Sequence, residues 1–333
     1  MNQDISICVL TENEMGWTEP FELDKVQILD NYYLSAQKSD IAFLKKMDTA
    51  RLLAGFRTTA GIDTKGVRPY GGWEDSLLGG HCVGHYLTAL AQAVKVTGDK
   101  ELKEKSQTLI AGLEECQKKL GTGFLFGAKV EDKEDVEKQF DILEGKKKGE
   151  TWVPWYNMHK VLAGLVDTYK YTGNETALLV AEKLGDWIYE RVSKWDLKTN
   201  QKVLETEYGG MNDCLYELYS HSHNKHHLEA AQKFDEKALF LMAAKGEKNC
   251  LDGKHANTQI PKFIGAIKRY NVLKQLGEAK QEDEAYLVDA EKFFEMVVKR
   301  HSFVTGGISV MEHFRTVYHL VEKRTNIPCH VPC

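Results

Sequence analysis

The sequence has few prolines, little net charge and no long apolar run. Only 6 prolines occur among 333 residues, which leaves room for long uninterrupted helices. A mean hydropathy of -0.42 is that of a globular chain with no membrane-spanning segment. The 44 Lys and Arg residues against 49 Asp and Glu give a net charge of -5. A partner bound through a phosphate backbone is therefore not expected.

Two features of the sequence bear on the compartment. The first twenty residues lack a basic stretch followed by a long apolar run, so they do not resemble a secretory signal, and a cytoplasmic location is expected. The 7 cysteines are odd in number and widely spread, which is not the pattern of a disulfide framework. We expect most of them to be buried thiols.

The dominant pattern is helical, and it predicts an all-α fold. Residues 81–97 are apolar almost all round, whereas residues 101–120 carry one apolar stripe, which predicts a buried helix followed by a helix that covers it. The same alternation predicts pairs at 159–171 with 176–192, 212–222 with 227–244, and 257–276 with 282–300, after a first pair within 21–56. The turns Gly98-Asp99 and Gly173-Asn174 suit a helix end followed by a helix start.

Repeated pairs of one buried and one amphipathic helix indicate either a solenoid or a toroid of two concentric helix rings. The spacing between successive buried helices is irregular, with long insertions before them, and this favours the toroid. We expect residues 21–333 to form it, with residues 1–20 as an N-terminal extension. Residues 131–150 mix acidic and basic side chains and are expected to form a solvated excursion in the position of a lid.

The insertions bring aromatic and polar residues to the start of each buried helix, so they should open on one face of the ring. Aromatic rings that stack and side chains that hydrogen-bond suit a sugar. The candidate substrate-binding residues are Trp73, His85, Trp155, His159, Asn212, Asp213, His255 and Asn257. The alternatives are that the aromatic rings plug loop-helix junctions, that the histidines lie satisfied in the core, and that Asn and Asp cap helices.

Five motifs in order resemble the signatures of glycoside hydrolase family 127, which includes β-L-arabinofuranosidases. They read GGHCVGHYL at 79–87, WVPWYNMHKVLAGL at 152–165, GGMND at 209–213, HANTQIPK at 255–262 and GGISVMEHF at 306–314. The resemblance covers nearly the whole chain. It implies an (α/α)6 toroid and the hydrolysis of a glycosidic bond in a glycan, with retention of configuration.

The resemblance also implies roles for particular residues. Glu312 matches the general acid/base, which should lie in a dry pocket that raises its pKa. The family is understood to use a cysteine nucleophile held at a zinc ion. Cys329 falls near one expected zinc ligand, but Ile327 stands where a glutamate ligand is expected. Five helix pairs are counted where the toroid needs six, so we expect both the ring and the zinc site to be incomplete.

Two other functions remain open from the sequence. The chain could be another sugar-active (α/α)6 enzyme, such as an N-acylglucosamine 2-epimerase or an unsaturated glucuronyl hydrolase, which work without a zinc-bound cysteine. It could also be a carbohydrate-binding toroid without catalysis, because no residue of this sequence matches the cysteine nucleophile that the resemblance implies.

Overall fold

The computed structural model describes residues 20–247, 249–303, 306–308 and 311–317. Within these ranges the regular elements are helices, and extended pairing is limited to an isolated antiparallel bridge between His255 and His313. The predicted all-α fold is confirmed. No helix in this part of the chain has the length and apolar character needed to cross a membrane.

Five helix pairs follow one another along the described residues. They are α1 (Asn31–Lys46) with α2 (Thr49–Thr59), α3 (His81–Thr97) with α4 (Lys100–Leu120), α6 (Pro154–Thr172) with α7 (Glu175–Val192), α9 (Met211–Ser222) with α10 (Lys225–Gln232), and α12 (Ala256–Gln275) with α13 (Glu284–Arg300). Shorter helices lie in the connections: α5 (Lys138–Leu143), α8 (Leu197–Leu204) and α11 (Lys237–Ala244), with 3-10 turns at Leu23–Lys25, Gly72–Asp75 and Gln281–Asp283.

The helix pairs form two layers. Helices α3, α6, α9 and α12 pack side by side as the inner layer, and α4, α7 and α10 pack side by side outside them. Helix α6 is buried on most of its sides, whereas α4 buries one stripe. This is the arrangement of an (α/α)6-type toroid, of which the described residues supply five pairs.

Short polar caps set the ends of the helices. The side chains of Asp99 and Asn174 accept hydrogen bonds from the first turns of α4 and α7. Gly98 and Gly173, with φ of 67° and 68°, end α3 and α6 in the left-handed conformation. Both turns are as predicted, and they return the chain from the inner to the outer layer.

Glycines allow the inner helices to touch through their backbones. A Cβ on Gly84 of α3 would lie 1.9 Å from the carbonyl oxygen of Lys160 in α6, and a Cβ on Gly164 would lie 2.5 Å from the oxygen of Gly84. Gly265 of α12 leaves space in the same way for the side chain of Asn212. The absent side chains therefore set the spacing of the inner layer.

Two predicted helices differ from those in the structure by more than two residues. Residues 227–244 do not form one helix, because the chain leaves the helical path after α10 and buries Asp235, which accepts hydrogen bonds from Tyr216 Oη at 2.7 Å and Arg269 Nη1 at 2.8 Å. Helix α6 begins at Pro154 instead of residue 159, because the fixed φ of proline suits the first helical turn.

The segment 131–150 is only in part the solvated excursion predicted, because α5 within it buries Phe140 and Leu143, whereas residues 145–150 are exposed. The guanidinium of Arg191 in α7 bonds three carboxylates in and around α5, those of Glu137 at 2.9 Å, Asp141 at 2.5 Å and Glu144 at 2.6 Å. Arg191 is largely buried, and charge-assisted hydrogen bonds to several carboxylates are strong. The segment is thus tied to the outer layer.

Replacing Gly84 with alanine is expected to destabilise the protein. The new Cβ would meet a backbone oxygen at 1.9 Å, so α3 and α6 must move apart, at a cost of about 1–3 kcal/mol or more. Gly71→Ala is the matched control, because Gly71 has a φ of -71° and a Cβ added there would meet no neighbouring atom within 4 Å. It should change stability by less than about 0.5 kcal/mol. Urea unfolding measures both, and equal stability of the two variants would contradict this account.

Candidate active site

The first turn of α3 is held by a buried carboxylate. Glu74, from the preceding 3-10 turn, accepts hydrogen bonds from the backbone N–H groups of Gly80 at 2.9 Å and Cys82 at 3.2 Å. Its Oε1 also lies 2.9 Å from His81 Nδ1. Burial raises the pKa of Glu74, but the hydrogen bonds from His81 and Gly80 outweigh it and hold the pKa below its ordinary value. Glu74 therefore stays ionised and fixes the start of α3.

His85 lies one turn further along α3, on the exposed inner side of the helix. Partial burial in the ring and the charge of Lys160 lower the pKa of His85 to about 4. The His81 ring lies 6.1 Å from both the His85 and the Tyr156 rings. At neutral pH the His85 imidazole is uncharged and can exchange hydrogen bonds with a hydroxyl group.

His159 links α6 to the next inner helix. Its Nδ1 accepts a hydrogen bond from the N–H of Gly210 at 3.0 Å, and burial lowers its pKa well below the ordinary value. A Cβ on Gly209 would lie 2.4 Å from the same nitrogen, so this close contact needs glycine. Because Nδ1 accepts, the neutral ring carries its proton on Nε2. The Nδ1 side of the His159 ring thus helps to hold α6 against the segment that precedes α9.

His255 and Glu312 are brought together from positions 57 residues apart. His255 Nε2 lies 3.0 Å from Glu312 Oε2. Backbone hydrogen bonds hold the two segments side by side, from Ala256 N to Glu312 O at 2.7 Å and from Phe314 N to Lys254 O at 2.9 Å. The predicted acid/base and one predicted sugar-binding histidine therefore share one site.

The surroundings of Glu312 differ from those predicted. Its side chain is 58% exposed, so the dry pocket is not found and that prediction is wrong. Met311 and Glu312 both have left-handed backbones, with φ of 54° and 64°. Such a conformation costs non-glycine residues free energy and persists only where the surroundings enforce it.

Two residues that the sequence analysis did not select complete this cluster. Glu207 approaches His255, with its Oε2 3.8 Å from Nδ1, and burial raises the pKa of its carboxyl. Lys160 is 5% exposed, and its charge acts on both Glu207 and His85. One available signal was position, since Glu207 stands two residues before the Gly209-Gly210 pair.

Trp155 and Asn212 are placed in the core instead of the substrate site. Trp155 is fully buried, with its ring 4.9 Å from that of Phe140 and 5.1 Å from that of Phe234. The buried amide of Asn212 donates to Asp235 and to the carbonyl of Lys262, at 3.3 and 3.1 Å. Neither side chain has surface left for a sugar, so their selection is corrected. Trp155 was misplaced because residues 154–157 are the first turn of α6.

The remaining selected residues keep some accessible surface. Trp73 is 62% exposed and lies 5.5 Å from Trp152, which is 44% exposed. Asp213 is partly exposed, with Lys268 Nζ 4.0 Å from its Oδ1, and burial raises its pKa. Asn257 is half-buried in the first turn of α12. The two tryptophans form an aromatic surface beside the starts of α3 and α6.

The zinc ligand suggested by the resemblance, Cys329, lies outside the described residues. Within them, Glu74, His81 and Cys82 place possible ligand atoms within 4.8 Å of one another. Their donor types suit zinc, but both Glu74 oxygens are engaged by the backbone of α3. Burial and the charge of Glu74 raise the pKa of the Cys82 thiol to about 12. In this arrangement the three residues are better suited to hold the first turn of α3 in place than to bind a metal ion.

Comparison with known families decides the class of this chain. The family model for the β-L-arabinofuranosidase, GH127 catalytic domain matches residues 25–329. The chain belongs to glycoside hydrolase family 127. A comparison with curated proteins finds no match.

Two solved structures with family 127 names share the fold of this chain. A GH127 β-L-arabinofuranosidase from Geobacillus stearothermophilus T6 matches with a TM-score of 0.56 and 16% identity, over 88% of this chain and 48% of that one. The GH127 β-arabinofuranosidase BT3674 matches with a TM-score of 0.57 and 16% identity, over 87% of this chain and 45% of that one. The chain thus spans about half the length of the two structures.

Glu74→Gln is expected to lower stability at neutral pH by about 1–3 kcal/mol, because a charged acceptor of buried N–H groups is lost. Since the folded pKa of Glu74 is lowered, its contribution is present above the ordinary pKa of a glutamate and is lost as the pH falls through the folded value. The difference between wild type and variant should therefore shrink on acidification. Urea unfolding from pH 7 to pH 3 measures this. The control is Asp75→Asn at the exposed neighbouring position, and a pH-independent difference would contradict the assignment.

Cys82→Ser is expected to leave the zinc content of the purified protein unchanged. The reason is that Cys82 helps to hold the first turn of α3 through its backbone N–H, which donates to Glu74. Elemental analysis of wild type and variant after dialysis against zinc measures the metal-to-protein ratio. A ratio that falls by one in the variant would show that Glu74, His81 and Cys82 form a metal site.

Proposed function

We propose that this chain carries the catalytic unit of a retaining glycosidase, which releases terminal L-arabinofuranose or a related sugar from glycans. The observation that carries the proposal is the Glu312 carboxyl, exposed at the starts of the inner helices and held at 3.0 Å by His255. Membership of family 127 supports the same function. Residues 21–333 would form this unit and residues 1–20 an extension.

Glu312 would act as general acid and then as general base. In its acid form it gives its proton to the glycosidic oxygen as the bond from that oxygen to the anomeric carbon breaks. In the second half of the reaction its carboxylate takes a proton from the water that attacks the anomeric carbon and displaces the nucleophile from it. The hydrogen bond to His255 orients the carboxyl for both steps.

The resemblance implies a cysteine nucleophile, which no residue of this sequence matches. A zinc ion, when bound, would supply a deprotonated cysteine thiolate at neutral pH. Cys329 is the ligand proposed in this chain, and Ile327 replaces the expected glutamate ligand, so we propose an incomplete zinc set. The contribution assigned to the described residues is acid/base catalysis and sugar binding.

Substrate binding is proposed for the accessible residues around Glu312. The exposed ring of Trp73, beside Trp152, can stack on the apolar face of a sugar. His85, Asp213, His255 and Asn257 can exchange hydrogen bonds with its hydroxyl groups, whereas His159 is 7% exposed and serves the packing of α6. A glycan is accordingly the partner proposed. A cytoplasmic location and the absence of nucleic-acid or membrane partners stay predictions from the sequence.

Glu312→Gln is expected to lower the turnover of a chromogenic β-L-arabinofuranoside by about 10²- to 10⁴-fold, the usual contribution of a general acid/base. Circular dichroism and the thermal midpoint should stay unchanged, because the side chain is exposed. Glu282→Gln, on an exposed turn outside the site, is the control and should keep full activity. Zinc-dependent turnover lost in the variant supports the proposal.

Other outcomes would favour the other functions. Turnover of an unsaturated uronide, or epimerisation of an acylated amino sugar, without zinc would assign the chain to another class of (α/α)6 enzyme. Sugar binding without turnover of any of these substrates would identify a carbohydrate-binding toroid.

A further inference from the structure

Two exposed tryptophans lie side by side at the entrance of the candidate site. Trp73 and Trp152, here called the tryptophan pair, are 62% and 44% exposed, and their ring centroids lie 5.5 Å apart with the ring planes at 50°. The other tryptophans of the described residues, Trp155, Trp187 and Trp195, are 0%, 5% and 6% exposed. Tryptophan side chains are mostly buried in folded proteins, and large apolar groups left exposed together mark a binding surface.

The backbones that carry the tryptophan pair are joined through a common support. Ser76 Oγ donates to the carbonyl of Trp73 at 2.7 Å, and the carbonyl of Ser76 accepts from the N–H of Lys129 at 3.1 Å. Gln139 in α5 donates from Nε2 to the carbonyl of Lys129 at 2.9 Å, and its own carbonyl accepts from Thr151 Oγ1 at 3.0 Å. Thr151 is the residue before the second tryptophan. Because the fold already holds both segments, a ligand that binds the rings has less chain to order.

The tryptophan pair and Glu312 lie at different inner helices around the mouth of the ring. The pair precedes α3 and α6, whereas Glu312 lies beside the residues just before α12. Helix α9 stands between them. Its start contacts α6 through the N–H of Gly210, 3.0 Å from His159 Nδ1, and contacts α12 through Asn212 Nδ2, 3.1 Å from the carbonyl of Lys262. Packed helix axes lie about 8–10 Å apart, so two such steps are wider than one sugar ring.

The side chains that follow the tryptophan pair along α3 and α6 are polar. Tyr156, in the first turn of α6, has its ring 6.1 Å from that of His81 and 4.9 Å from Lys160 Nζ. His85 follows one turn further along α3 and is exposed. An apolar platform that continues into hydroxyl and imidazole groups suits a chain of sugars, whereas the core of a protein interface is apolar.

We propose that the tryptophan pair is a second sugar-binding subsite, which takes a unit of the glycan other than the one cleaved at Glu312. This rests on the proposed function. The terminal sugar is bound at Glu312, so the sugar that stacks on the tryptophan pair belongs to the leaving-group side of the cleaved bond. The substrate class is therefore an oligosaccharide, and a glycoside with a small leaving group leaves this subsite empty.

Calorimetric titration with L-arabinose and with a β-L-arabinofuranosyl di-, tri- and tetrasaccharide tests the proposal. Glu312→Gln in the full chain is the background, so that the ligands are not cleaved. Affinity should rise with the number of sugars. Trp73→Ala and Trp152→Ala should each reduce the gain from monosaccharide to tetrasaccharide by about 3- to 10-fold, as expected for one aromatic stacking contact. Trp73→Tyr should restore most of the gain, because it keeps an aromatic ring. Phe294→Ala is the matched control, because Phe294 is 67% exposed on the outer helix α13.

Indole fluorescence gives a second readout, since it should change on binding of the tetrasaccharide and not on binding of L-arabinose. Affinity that does not depend on ligand length, or a length dependence that is unchanged in both folded alanine variants, would overturn the proposal. The absence of binding by every ligand would overturn it as well. Because binding is measured without turnover, a wild type that binds the long chains but releases no arabinose refutes the proposed hydrolysis alone. A wild type that cleaves arabinofuranosides without any length dependence refutes the subsite alone.

Discussion

Close contacts at glycines between neighbouring segments of the inner layer set the positions of His85, His159 and Glu207. Gly84 meets the carbonyl of Lys160, and their chain neighbours are His85 and His159. The next contact, between His159 and the Gly209-Gly210 pair, places Glu207 two residues away. A side chain larger than hydrogen at these glycines would separate the helices. The contacts that pack the inner helices therefore also fix where their polar side chains lie.

These fixed positions determine which charged side chains lie close to one another in the site. Lys160 is buried between α3 and the Glu207 segment, where its charge lowers the pKa of His85 and also opposes the rise that burial gives the pKa of Glu207. Burial and this cation together keep the imidazole of His85 neutral, and the cation offsets part of the rise in the pKa of Glu207. Such a set of charged and neutral groups can accept hydrogen bonds from the hydroxyls of a sugar and donate hydrogen bonds to them.

The sequence was sufficient for the helices that depend on local patterns. The apolar period and the glycine turn predicted α3 with the bounds observed, His81–Thr97. Trp155 and Asn212 were misassigned because a motif shows that a residue is required, whereas burial depends on how the neighbouring helices pack. Glu207 and Lys160 were missed because their roles arise from contacts between segments that lie far apart in sequence. His255 and Glu312 were both selected, but their hydrogen bond could not be read from their spacing.

The left-handed backbones at Met311 and Glu312 have a consequence for the order of assembly. Two non-glycine residues in this conformation are unfavourable in the free chain, so the segment gains its shape only when residues 312–314 pair with residues 253–256. That pairing closes a loop of 57 residues between His255 and Glu312, which carries an entropic cost. Glu312 is therefore held in place by contact with a segment far away in sequence, the residues just before α12.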